Sequence, residues 1–429
     1  MLRALTSSPF GRNNCDPNDY SVTTLAEEVS GPETSAAKPT GLEVALLTGC
    51  QDRPYAFGLS TALASKGIAV DVIGSDEVDS PEMHTTPNLH FLNVRGSQRR
   101  STGLAKKLWN LLSYYAWLVR YAANSDPKIF HILWNNKFEY FDRTLLMVYY
   151  KLCGKKIVFT VHNVNQARRD HRDSLLNRLT LRTQYQLSDH IFVHTQKMKT
   201  ELLQDFGVRE RAVTIIPFGI NNSLPDTDLT PALAKQKLGI GNSEKAILFL
   251  GRMRPYKGLE YLLSAFRLLK SRHADYRLII AGDEKKGSED YMDKIRQTIR
   301  DEFDPEEIIL KIQFIPDEEM ELYLKAADVL VLPYKEIFQS GVLFLGYSFG
   351  LPVVATDVGS FREEIVEGET GFLCRSADPS DLAETLEVYF ESDLYKELPR
   401  RRSEIRSYAR ERYSWDSVGD LTLRAYAQL

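Results

Sequence analysis

The sequence DVLVLPYKEIFQSGVLFLGYSFGLPVVAT, residues 328–356, decides the fold of the second half of the chain. Its apolar run at residues 329–332 is too short for a helix and stops at Pro333, which predicts a buried strand of a parallel sheet. A polar loop follows at residues 334–341, rich in groups that can touch a ligand. The loop therefore leaves the carboxyl end of the predicted strand.

A helical pattern comes directly after this loop. Residues 342–349 are apolar with small residues among them, as in a helix pressed closely against a sheet. Gly350 is placed for a left-handed cap, Pro352 prevents continuation, and residues 353–356 predict the next strand. Such a βαβ unit binds ligands outside the carboxyl ends of its strands, so we expect the functional centre in the preceding loop.

The same alternation of short apolar runs and helical stretches occurs along most of the chain. The predicted strands are residues 41–47, 69–73, 89–94, 129–133, 156–161, 190–194, 213–216, 246–250, 277–281, 308–315, 329–332 and 353–355. A chain of 429 residues exceeds the usual single core. We therefore predict an α/β protein with two βα domains that face each other across a cleft.

The predicted domain bounds follow from the breaks in this pattern. Residues 1–40 are rich in Ser, Thr, Pro, Asn and Glu and are expected to be a disordered tail. The N-terminal domain is expected at 41–220, a linker at 221–239, the C-terminal domain at 240–402 and a terminal helix at 403–429.

Composition excludes several classes of protein. The formal net charge of −4 gives no support for a nucleic-acid binder. The four cysteines are far apart, without metal-ligand spacing, and no apolar run reaches the ~20 residues that span a bilayer. Since the N-terminus also lacks the apolar core of a signal peptide, a cytoplasmic location is expected.

Two cations mark a second candidate loop. Arg252 and Lys257 lie in the strand-to-helix loop that ends at Gly258. Free backbone N–H groups at a helix N-terminus, together with two cations, suit a phosphate or diphosphate. A solvated loop with surface charges is the alternative. Because both candidate loops end strands of the same predicted sheet, Arg252, Lys257 and the Ser340–Gly341 segment are expected to converge on one anion.

The ordered set of these motifs resembles glycosyltransferase family 4. The motifs are Gly251-Arg252 with Lys257-Gly258, Ala326-Ala-Asp328-Val, Gly350-x-Pro352-Val-Val-Ala with Gly359, and Glu367-Gly-x-x-Gly371-Phe. The resemblance implies the GT-B fold, with two Rossmann-like domains facing across a cleft, and transfer of a sugar from a nucleotide donor with retention. It also implies that Arg252 and Lys257 bind the donor diphosphate, and that the terminal helix crosses back to the N-terminal domain.

Further site residues come from the same resemblance. His162 resembles the N-domain histidine that approaches the transferred sugar, and Gly49 the glycine that lets the donor phosphate approach the backbone. The remaining donor-binding positions are Gly251, Phe314, Ile315, Ser340, Gly341 and Val342, of which Phe314 and Ile315 would hold the base through backbone groups. His131 and residues 134–136 are weaker candidates.

One position departs from the family pattern. The usual donor loop carries two glutamates, and the second, which binds the ribose, falls here on Leu345. The first falls on Ile337, so a shift of one residue would make Glu336 the ligand of the sugar hydroxyls. We therefore expect a variant of the family site, with Glu336 among the catalytic residues.

Two mechanisms are compatible with retention. Double displacement needs a carboxylate nucleophile, and the candidate loops offer none in an obvious position. Front-face departure, in which the leaving phosphate accepts the proton of the acceptor, is favoured. No required metal is expected, because the Asp226-x-Asp228 pair lies in the predicted linker. The nucleotide sugar is a co-substrate, and no cofactor is expected.

Three classes of function stay open. The first is a retaining hexosyltransferase with a saccharide or lipid-linked acceptor. The second is an epimerase or phosphorylase of the same fold, and the third a degenerate protein that binds nucleotide sugar. A dehydrogenase and a P-loop enzyme are disfavoured by the absence of their motifs. The basic, aromatic segment with Arg99, Arg100, Lys106, Lys107 and residues 108–121 raises peripheral contact with the inner membrane face as an option beside simple burial.

Overall fold

The computed structural model describes residues 41–98, 103–169, 172–220 and 224–429. The expected tail at 1–40 lies outside these ranges, as do Arg99 and Arg100. Two parallel sheets organise the described chain, one in each half.

The first sheet has seven strands in the order β3-β2-β1-β4-β5-β6-β7. Its strands are β1 (Glu43–Leu47), β2 (Ala69–Gly74), β3 (Leu89–Asn93), β4 (Ile129–Ile132), β5 (Lys156–Thr160), β6 (His190–Val193) and β7 (Val213–Ile215). All neighbours pair in parallel, so the carboxyl ends of the strands share one edge. The central strands are buried on both faces, which explains why they are continuous apolar runs.

The second sheet has six strands in the order β10-β9-β8-β11-β12-β13. They are β8 (Lys245–Leu250), β9 (Tyr276–Ala281), β10 (Ile308–Lys311), β11 (Val329–Leu332), β12 (Val353–Thr356) and β13 (Gly371–Cys374). All of these pairs are parallel as well. The predicted fold of two Rossmann-like α/β domains is confirmed.

Helices connect the strands in both domains. In the first half they are α1 (Arg53–Ser65), α2 (Pro81–Thr85), α3 (Leu104–Asn124), α4 (Glu139–Phe141), α5 (Met147–Leu152), α6 (Gln166–Arg169), α7 (Leu175–Leu187) and α8 (Gln196–Phe206). In the second half they are α9 (Pro231–Lys237), α10 (Leu259–Arg272), α11 (Glu289–Glu302), α12 (Asp317–Ala326), α13 (Gly341–Ser348), α14 (Phe361–Glu364), α15 (Pro379–Glu391), α16 (Asp393–Lys396), α17 (Leu398–Tyr413) and α18 (Trp415–Tyr426). A π-helical turn at Asp142–Leu146 joins α4 to α5. No helix of the described ranges is long and apolar enough to cross a membrane.

The two faces of the first sheet carry different helices. Alternate residues of β1 point to opposite faces, with Ala45 and Leu47 in one core cluster and Val44 and Leu46 in the other. Helices α3, α5, α7 and α8 cover the first cluster, whereas α1 and α18 cover the second. The C-terminal helix α18 thus belongs to the core of the N-terminal domain.

The chain crosses between the domains twice, and the two crossings are held together. Ile220 donates its backbone N–H to the carbonyl of Tyr413 at 3.0 Å, and its own carbonyl accepts the indole N–H of Trp415 at 2.8 Å. The segment expected as a linker, 221–239, contains α9, whose Ala234 is buried in the second core. Helix α9 therefore packs as part of the C-terminal domain.

The predicted strands agree with the observed ones to within one or two residues, with two exceptions. The run 308–315 forms a strand only as far as Lys311, because the chain then turns into the loop before α12. Strand β13 was not predicted as a strand. Its first residue, Gly371, lies so close to Val353 of β12 that an added Cβ would stand 1.9 Å from the Val353 carbonyl oxygen.

Candidate active site

The loops that follow β8 and β11 are packed directly on each other. Lys335 donates its backbone N–H to the carbonyl of Tyr256 at 2.8 Å. Gly258 has a φ of +67°, and a Cβ there would stand 2.0 Å from the carbonyl oxygen of Pro333. Glycine is thus required at this position by both backbone conformation and space. The two candidate loops form one surface at the carboxyl edge of the sheet.

Three predicted site residues meet on this surface. A Cβ added to Gly251, which has a φ of +115°, would stand 2.8 Å from the ammonium nitrogen of Lys257. It would also stand 3.3 Å from a methyl carbon of Val342, in the first turn of α13. The expected convergence of the Gly251 loop with the Ser340–Gly341 segment is therefore present, with Lys257 between them.

Lys257 is a buried cation without an anionic partner among the described residues. Lys257 is only 6% exposed, and its ammonium nitrogen lies 5.2 Å from the ring centroid of Tyr334. No carboxylate oxygen in the described ranges lies within ion-pair distance of it. Burial is the largest cause that lowers the pKa of Lys257 to about 8, and the positive charges of Arg254 and Arg252 contribute to this lowering. An anion bound here would remove this electrostatic cost.

Arg252 is held differently. Its side chain is 59% exposed, and its Nε lies 3.2 Å from a carboxylate oxygen of Asp283 in the loop after β9. The guanidinium is near enough to Lys257 to lower the pKa of that lysine. Because exposed ion pairs are weak, Arg252 can exchange Asp283 for a bound phosphate at little cost.

The segment before α13 presents hydrogen-bond donors. The side-chain nitrogen of Gln339 is buried and has no hydrogen-bond partner in the structure. Ser340 is buried, and its hydroxyl lies 3.5 Å from that of Tyr334. The N-terminus of α13, which begins at Gly341, directs its first backbone N–H groups out of the helix. Gln339 is a candidate that the sequence pattern alone did not single out.

Glu336 lies at the outer side of the same loop. Its side chain is exposed, whereas the neighbouring Ile337 is buried, with its carbonyl packed against Gly359. The negative charge of Glu336 adds to the effect of burial in raising the pKa of Glu201, on α8 of the opposite domain. The carboxylate of Glu336 is therefore near enough to α8 of the N-terminal domain to act on Glu201.

Leu345 faces a cavity of about 230 Å³ between the two domains. The cavity is lined on one side by Gly341, Val342 and Leu345, and on the other by Pro54 and Tyr55. Asp52, Phe218, Gly219, Phe344 and Trp415 complete the lining. An apolar side chain of α13 therefore lines the cleft at position 345.

His131 lies in β4 and His162 follows the neighbouring strand β5, and the two histidines have different surroundings. His131 is fully buried, and its two ring nitrogens lie 2.6 Å from the Tyr426 hydroxyl and 2.7 Å from the Thr160 hydroxyl. The ring of His162 stacks on that of Trp134 at 4.2 Å, and its Nε2 is buried without a partner. His131 is therefore a core residue that fastens α18 to the sheet, and His162 keeps one free nitrogen.

A second histidine fixes which nitrogen of His162 carries the proton. The Nδ1 of His194 lies 3.2 Å from the carbonyl oxygen of Ile216, so it must donate. Burial lowers the pKa of His194 to about 4 and that of His162 well below its usual value, so both rings are neutral at neutral pH. The Nε2 of His194 then accepts from the Nδ1 of His162, 3.3 Å away. The free Nε2 of His162 is left as a hydrogen-bond acceptor.

Gly49 and the start of α1 form the N-terminal side of the cleft. Gly49 has a φ of +57°, and a Cβ there would stand 2.6 Å from the carbonyl oxygen of Trp134. The close approach that requires glycine is thus made by the loop after β4. Arg53 reaches across the cleft, where its guanidinium lies 2.6 Å from the carboxylate of Asp317.

Phe314 and Ile315 lie in the loop after β10, before α12. Phe314 is 69% exposed, whereas Ile315 is buried. Asp317, two residues on, makes the ion pair with Arg53, so this loop borders the cleft at the first loop of the N-terminal domain. The strand predicted to run through both residues ends at Lys311.

Two of the sequence motifs have structural roles in the described chain. Asp328 accepts hydrogen bonds from the ammonium of Lys235 at 2.7 Å and from the backbone N–H of Ala246 at 2.8 Å, which ties α9 to β8. Asp226 pairs with Lys325 at 2.9 Å and with Arg406 at 2.8 Å. Asp226 is thus engaged within the C-terminal domain.

Comparisons with known proteins match both halves of the chain. Residues 54–224 match the family described as Glycosyltransferase Family 4, and residues 232–412 match Glycosyl transferases group 1. A D-inositol 3-phosphate glycosyltransferase of Corynebacterium aurimucosum is 27% identical over 274 residues, which are 62% of this chain and 63% of the relative. The chain thus matches a little over three fifths of the length of this relative.

Solved structures share the fold. Sucrose-phosphate synthase from Thermosynechococcus elongatus superposes with a TM-score of 0.71 at 17% identity, covering 90% of this chain and 98% of the other. The Anabaena protein HepE in complex with UDP-glucose superposes with a TM-score of 0.69 at 16% identity, covering 90% and 99%. At these identities the likeness bears on the fold alone.

Proposed function

The chain belongs to the family 4 glycosyltransferases of GT-B fold, and from this premise we propose that it moves a hexose from a nucleotide-diphosphate sugar to an acceptor, with retention. The acceptor is a saccharide or a lipid-linked saccharide, which places the enzyme in polysaccharide biosynthesis. Neither a metal nor a further cofactor takes part in this proposal. The site is the cleft between the two sheets, at the carboxyl edge of the second.

One observation carries the proposal, namely the buried ammonium of Lys257 between Gly251 and Val342. A cation that is desolvated and without a carboxylate partner in the described ranges suits a ligand that brings its own negative charge. The diphosphate of a nucleotide sugar supplies that charge, and the charge on its leaving oxygen increases as the sugar departs. A fixed cation aimed at developing charge is among the largest catalytic terms.

The remaining groups fit a front-face reaction. The bond from the anomeric carbon to the phosphate oxygen breaks, and the acceptor oxygen bonds to the same face of the sugar. The acceptor proton passes to the departing diphosphate, which Lys257 and Arg252 stabilise. His162 accepts a hydrogen bond from a hexose hydroxyl through its free Nε2, and Glu336 contacts the acceptor side of the cleft. The N–H groups of Gly341 and Val342 bind the phosphates.

The comparisons suggest which donors to test first. The HepE structure is described with UDP-glucose bound, which favours UDP-hexoses as the first donors for this chain. The second candidate function is a protein that binds nucleotide sugar without turnover. The apolar side chain of Leu345 in the cleft favours this function. Turnover separates the two.

The test is a donor panel of UDP-, GDP- and ADP-hexoses with wild type, Arg252→Ala and Arg267→Ala. Arg267 is a matched control, because it is equally exposed and pairs with Glu302 on the outer surface of the same domain. We expect one donor to bind by calorimetry and to be hydrolysed slowly, with both signals lost in Arg252→Ala only. Binding without hydrolysis or transfer, even with cell-derived acceptors, would identify the degenerate protein. Absence of binding for every donor would overturn the proposal.

Location follows from the acceptor class. A lipid-linked acceptor lies at a bilayer surface, so we propose a cytoplasmic enzyme that makes peripheral contact with the inner membrane face.

A further inference from the structure

Exposed apolar side chains are concentrated on one outer face of the N-terminal domain. Of seventeen large apolar residues exposed among the described residues, thirteen lie between residues 108 and 179. They are Leu108, Trp109, Leu112, Val119, Phe138, Tyr140, Phe141, Leu145, Val148, Leu152, Leu175, Leu176 and Leu179, and we name them the apolar face. The other four are scattered over the C-terminal domain. Single exposed apolar residues are ordinary, whereas a concentration of this size marks an interaction surface.

The apolar face is continuous because its helices lie side by side. Helix α3 packs on the segment α4–α5, where the ring of Tyr115 stacks on that of Phe138 at 5.3 Å. The hydroxyl of Tyr149 donates to the carbonyl of Val119 at 3.0 Å. On the other side of this segment, Arg143 donates to the side chain of Asn177 on α7 at 2.9 Å. Three neighbouring helices thus present their apolar residues on one surface.

The apolar face is adjacent to the cleft. In a parallel sheet, each helix that follows a strand begins at the edge where the strands end. The first turns of α3, α4 and α7 therefore lie at the carboxyl edge, which also carries the cleft loops. Leu175 begins α7, Phe138 directly precedes α4 and Trp109 is in the second turn of α3, so the apolar face extends to the cleft side of the domain.

The charge of this region is opposite to that of the whole chain. Residues 103–187 contain fourteen Lys and Arg against five Asp and Glu, a net charge of +9, whereas the chain as a whole carries −4. Lys106 and Lys107 are in the first turn of α3 and precede Trp109. A basic region interleaved with exposed aromatic and aliphatic side chains matches an anionic lipid surface, which attracts the cations and receives the apolar groups.

We propose that the apolar face docks the protein on a bilayer that contains anionic lipid. The charge argues against a second copy as the occupant, because a symmetric dimer through this face would bring the lysines at the start of α3, Lys106 and Lys107, of both copies towards one surface. The proposal rests on the membrane contact included in the proposed function and deepens it by assigning that contact to one surface. Docking in this orientation holds the cleft next to the headgroups, where a lipid-linked acceptor presents its sugar.

The experiment is co-sedimentation of the full chain with vesicles. Vesicles of phosphatidylcholine alone are compared with vesicles in which about one third is phosphatidylglycerol, each at about 0.1 M and about 0.5 M salt. The variant Trp109→Gln with Leu175→Gln changes two of the most exposed members of the apolar face. Leu233→Gln with Val388→Gln is the matched control on the C-terminal domain.

We expect wild type and control to bind only the anionic vesicles, less at high salt, and the apolar-face variant to bind at least about tenfold more weakly. The charge variant Lys106→Gln with Lys107→Gln should lose about fivefold per charge, whereas Lys286→Gln with Lys294→Gln should not. Hydrolysis of a soluble donor should be equal in all these proteins, so this test and that of the transferase are independent.

Three outcomes would overturn the proposal. They are no binding by wild type, unchanged binding by the apolar-face variant, and equal binding to neutral vesicles. A wild-type dimer that becomes monomeric in the apolar-face variant, without vesicle binding, would assign the face to self-association instead.

Discussion

The two sides of the cleft offer a ligand opposite kinds of hydrogen-bonding group. On the C-terminal side stand donors without partners, namely the Lys257 ammonium and the side-chain nitrogen of Gln339. On the N-terminal side, the buried groups without a partner among the described residues include the Nε2 acceptor of His162, in a neutral ring stacked on Trp134, and the hydroxyl of Tyr55. One side is built for negative charge and the other for an uncharged hydroxyl.

This difference determines the orientation in which a ligand fits the cleft. A ligand with a diphosphate at one end and an uncharged sugar at the other matches it when the sugar is nearer the N-terminal domain. Both groups lower the stability of the folded protein, since the cation is desolvated and the acceptor is buried without a partner. Uncompensated polar groups of this kind indicate function more strongly than the presence of charged residues in a loop.

The largest effect should come from the cationic side. We expect Lys257→Met to lower kcat/KM for donor hydrolysis by about 10²–10³-fold, because it removes a fixed charge from the leaving group. The measurement is steady-state hydrolysis of the best donor of the panel. The same change in Lys286, an exposed lysine of the same domain, is the control.

The folded state should not suffer from this change. Since Lys257 is a buried cation without a carboxylate partner in the described ranges, Met should raise the midpoint of thermal unfolding. An activity loss below about threefold, in a variant that unfolds no earlier than wild type, would remove Lys257 from the mechanism.

The acceptor side should give a smaller effect and a clear internal contrast. His162→Ala should lower hydrolysis by about tenfold, the value of one neutral hydrogen bond with its desolvation. His131→Ala should leave activity within about twofold but lower the free energy of unfolding by about 1–3 kcal/mol, because two buried hydroxyls lose their partner. Hydrolysis and denaturant unfolding of both variants measure this contrast. Equal losses of activity in the two variants would mean that the effect depends on the location of the histidine near the end of its strand and not on a ring nitrogen without a hydrogen-bond partner.

His194 tests whether the tautomer matters. The variant His194→Phe keeps a ring beside His162 but removes the acceptor for its Nδ1 proton, so the free Nε2 is no longer enforced. We expect a loss in kcat of about threefold to tenfold with KM unchanged. An unchanged kcat would show that His162 selects its tautomer without His194.

The sequence predicted the cationic side better than the acceptor side, for a physical reason. The convergence at Lys257 was expected because both loops end strands of the same predicted sheet, and the glycines at 251 and 258 are required there by backbone conformation and by close contacts between the loops. The partner of His131 is Tyr426 on α18, and the partner of His162 is His194, directly after β6. Both partners are far away in sequence. Two histidines at adjacent strand ends could therefore not be separated into core and site.

The same limit applies to the donor loop. A shift of one residue determines whether position 336 or 337 faces the cleft, and that shift depends on the contact of Ile337 with Gly359. The free nitrogen of Gln339 likewise follows from tertiary packing alone. Strand β13 was not predicted as a strand because it has only four residues and begins with glycine.

The pH dependence separates the two sides further. The lowered pKa of Lys257, about 8, means that the ammonium is lost as pH rises through this value. We expect kcat/KM, which reports the free enzyme, to be halved near pH 8 and to be about a tenth at pH 9. Between pH 8 and the ordinary pKa range of lysine, Lys257 is deprotonated in the folded protein but protonated in the unfolded chain. In this pH range Lys257 therefore makes the free energy of unfolding increase with pH.

Activity and stability should therefore change in opposite directions over the same pH window. The difference between wild type and Lys257→Met isolates the contribution of this lysine from that of other groups. A pH profile of kcat/KM that is flat to pH 9 would contradict the lowered pKa of Lys257.

The smallest effect is expected at Leu345, which lies on the cationic side but away from the cations. The variant Leu345→Glu places a carboxylate in the interdomain cavity. A carboxylate there can accept hydrogen bonds from the ribose hydroxyls, which raises the affinity for the nucleotide sugar. Its desolvation and its position in the same cavity as Asp52 oppose this gain in affinity. We expect nucleotide sugar to bind about threefold more tightly and inorganic pyrophosphate to bind unchanged, by calorimetry. Leu345→Gln, of equal size and without charge, should show no gain. If both ligands bind more weakly to Leu345→Glu, the carboxylate acts on the phosphates, and the nucleoside must then lie elsewhere along the cleft.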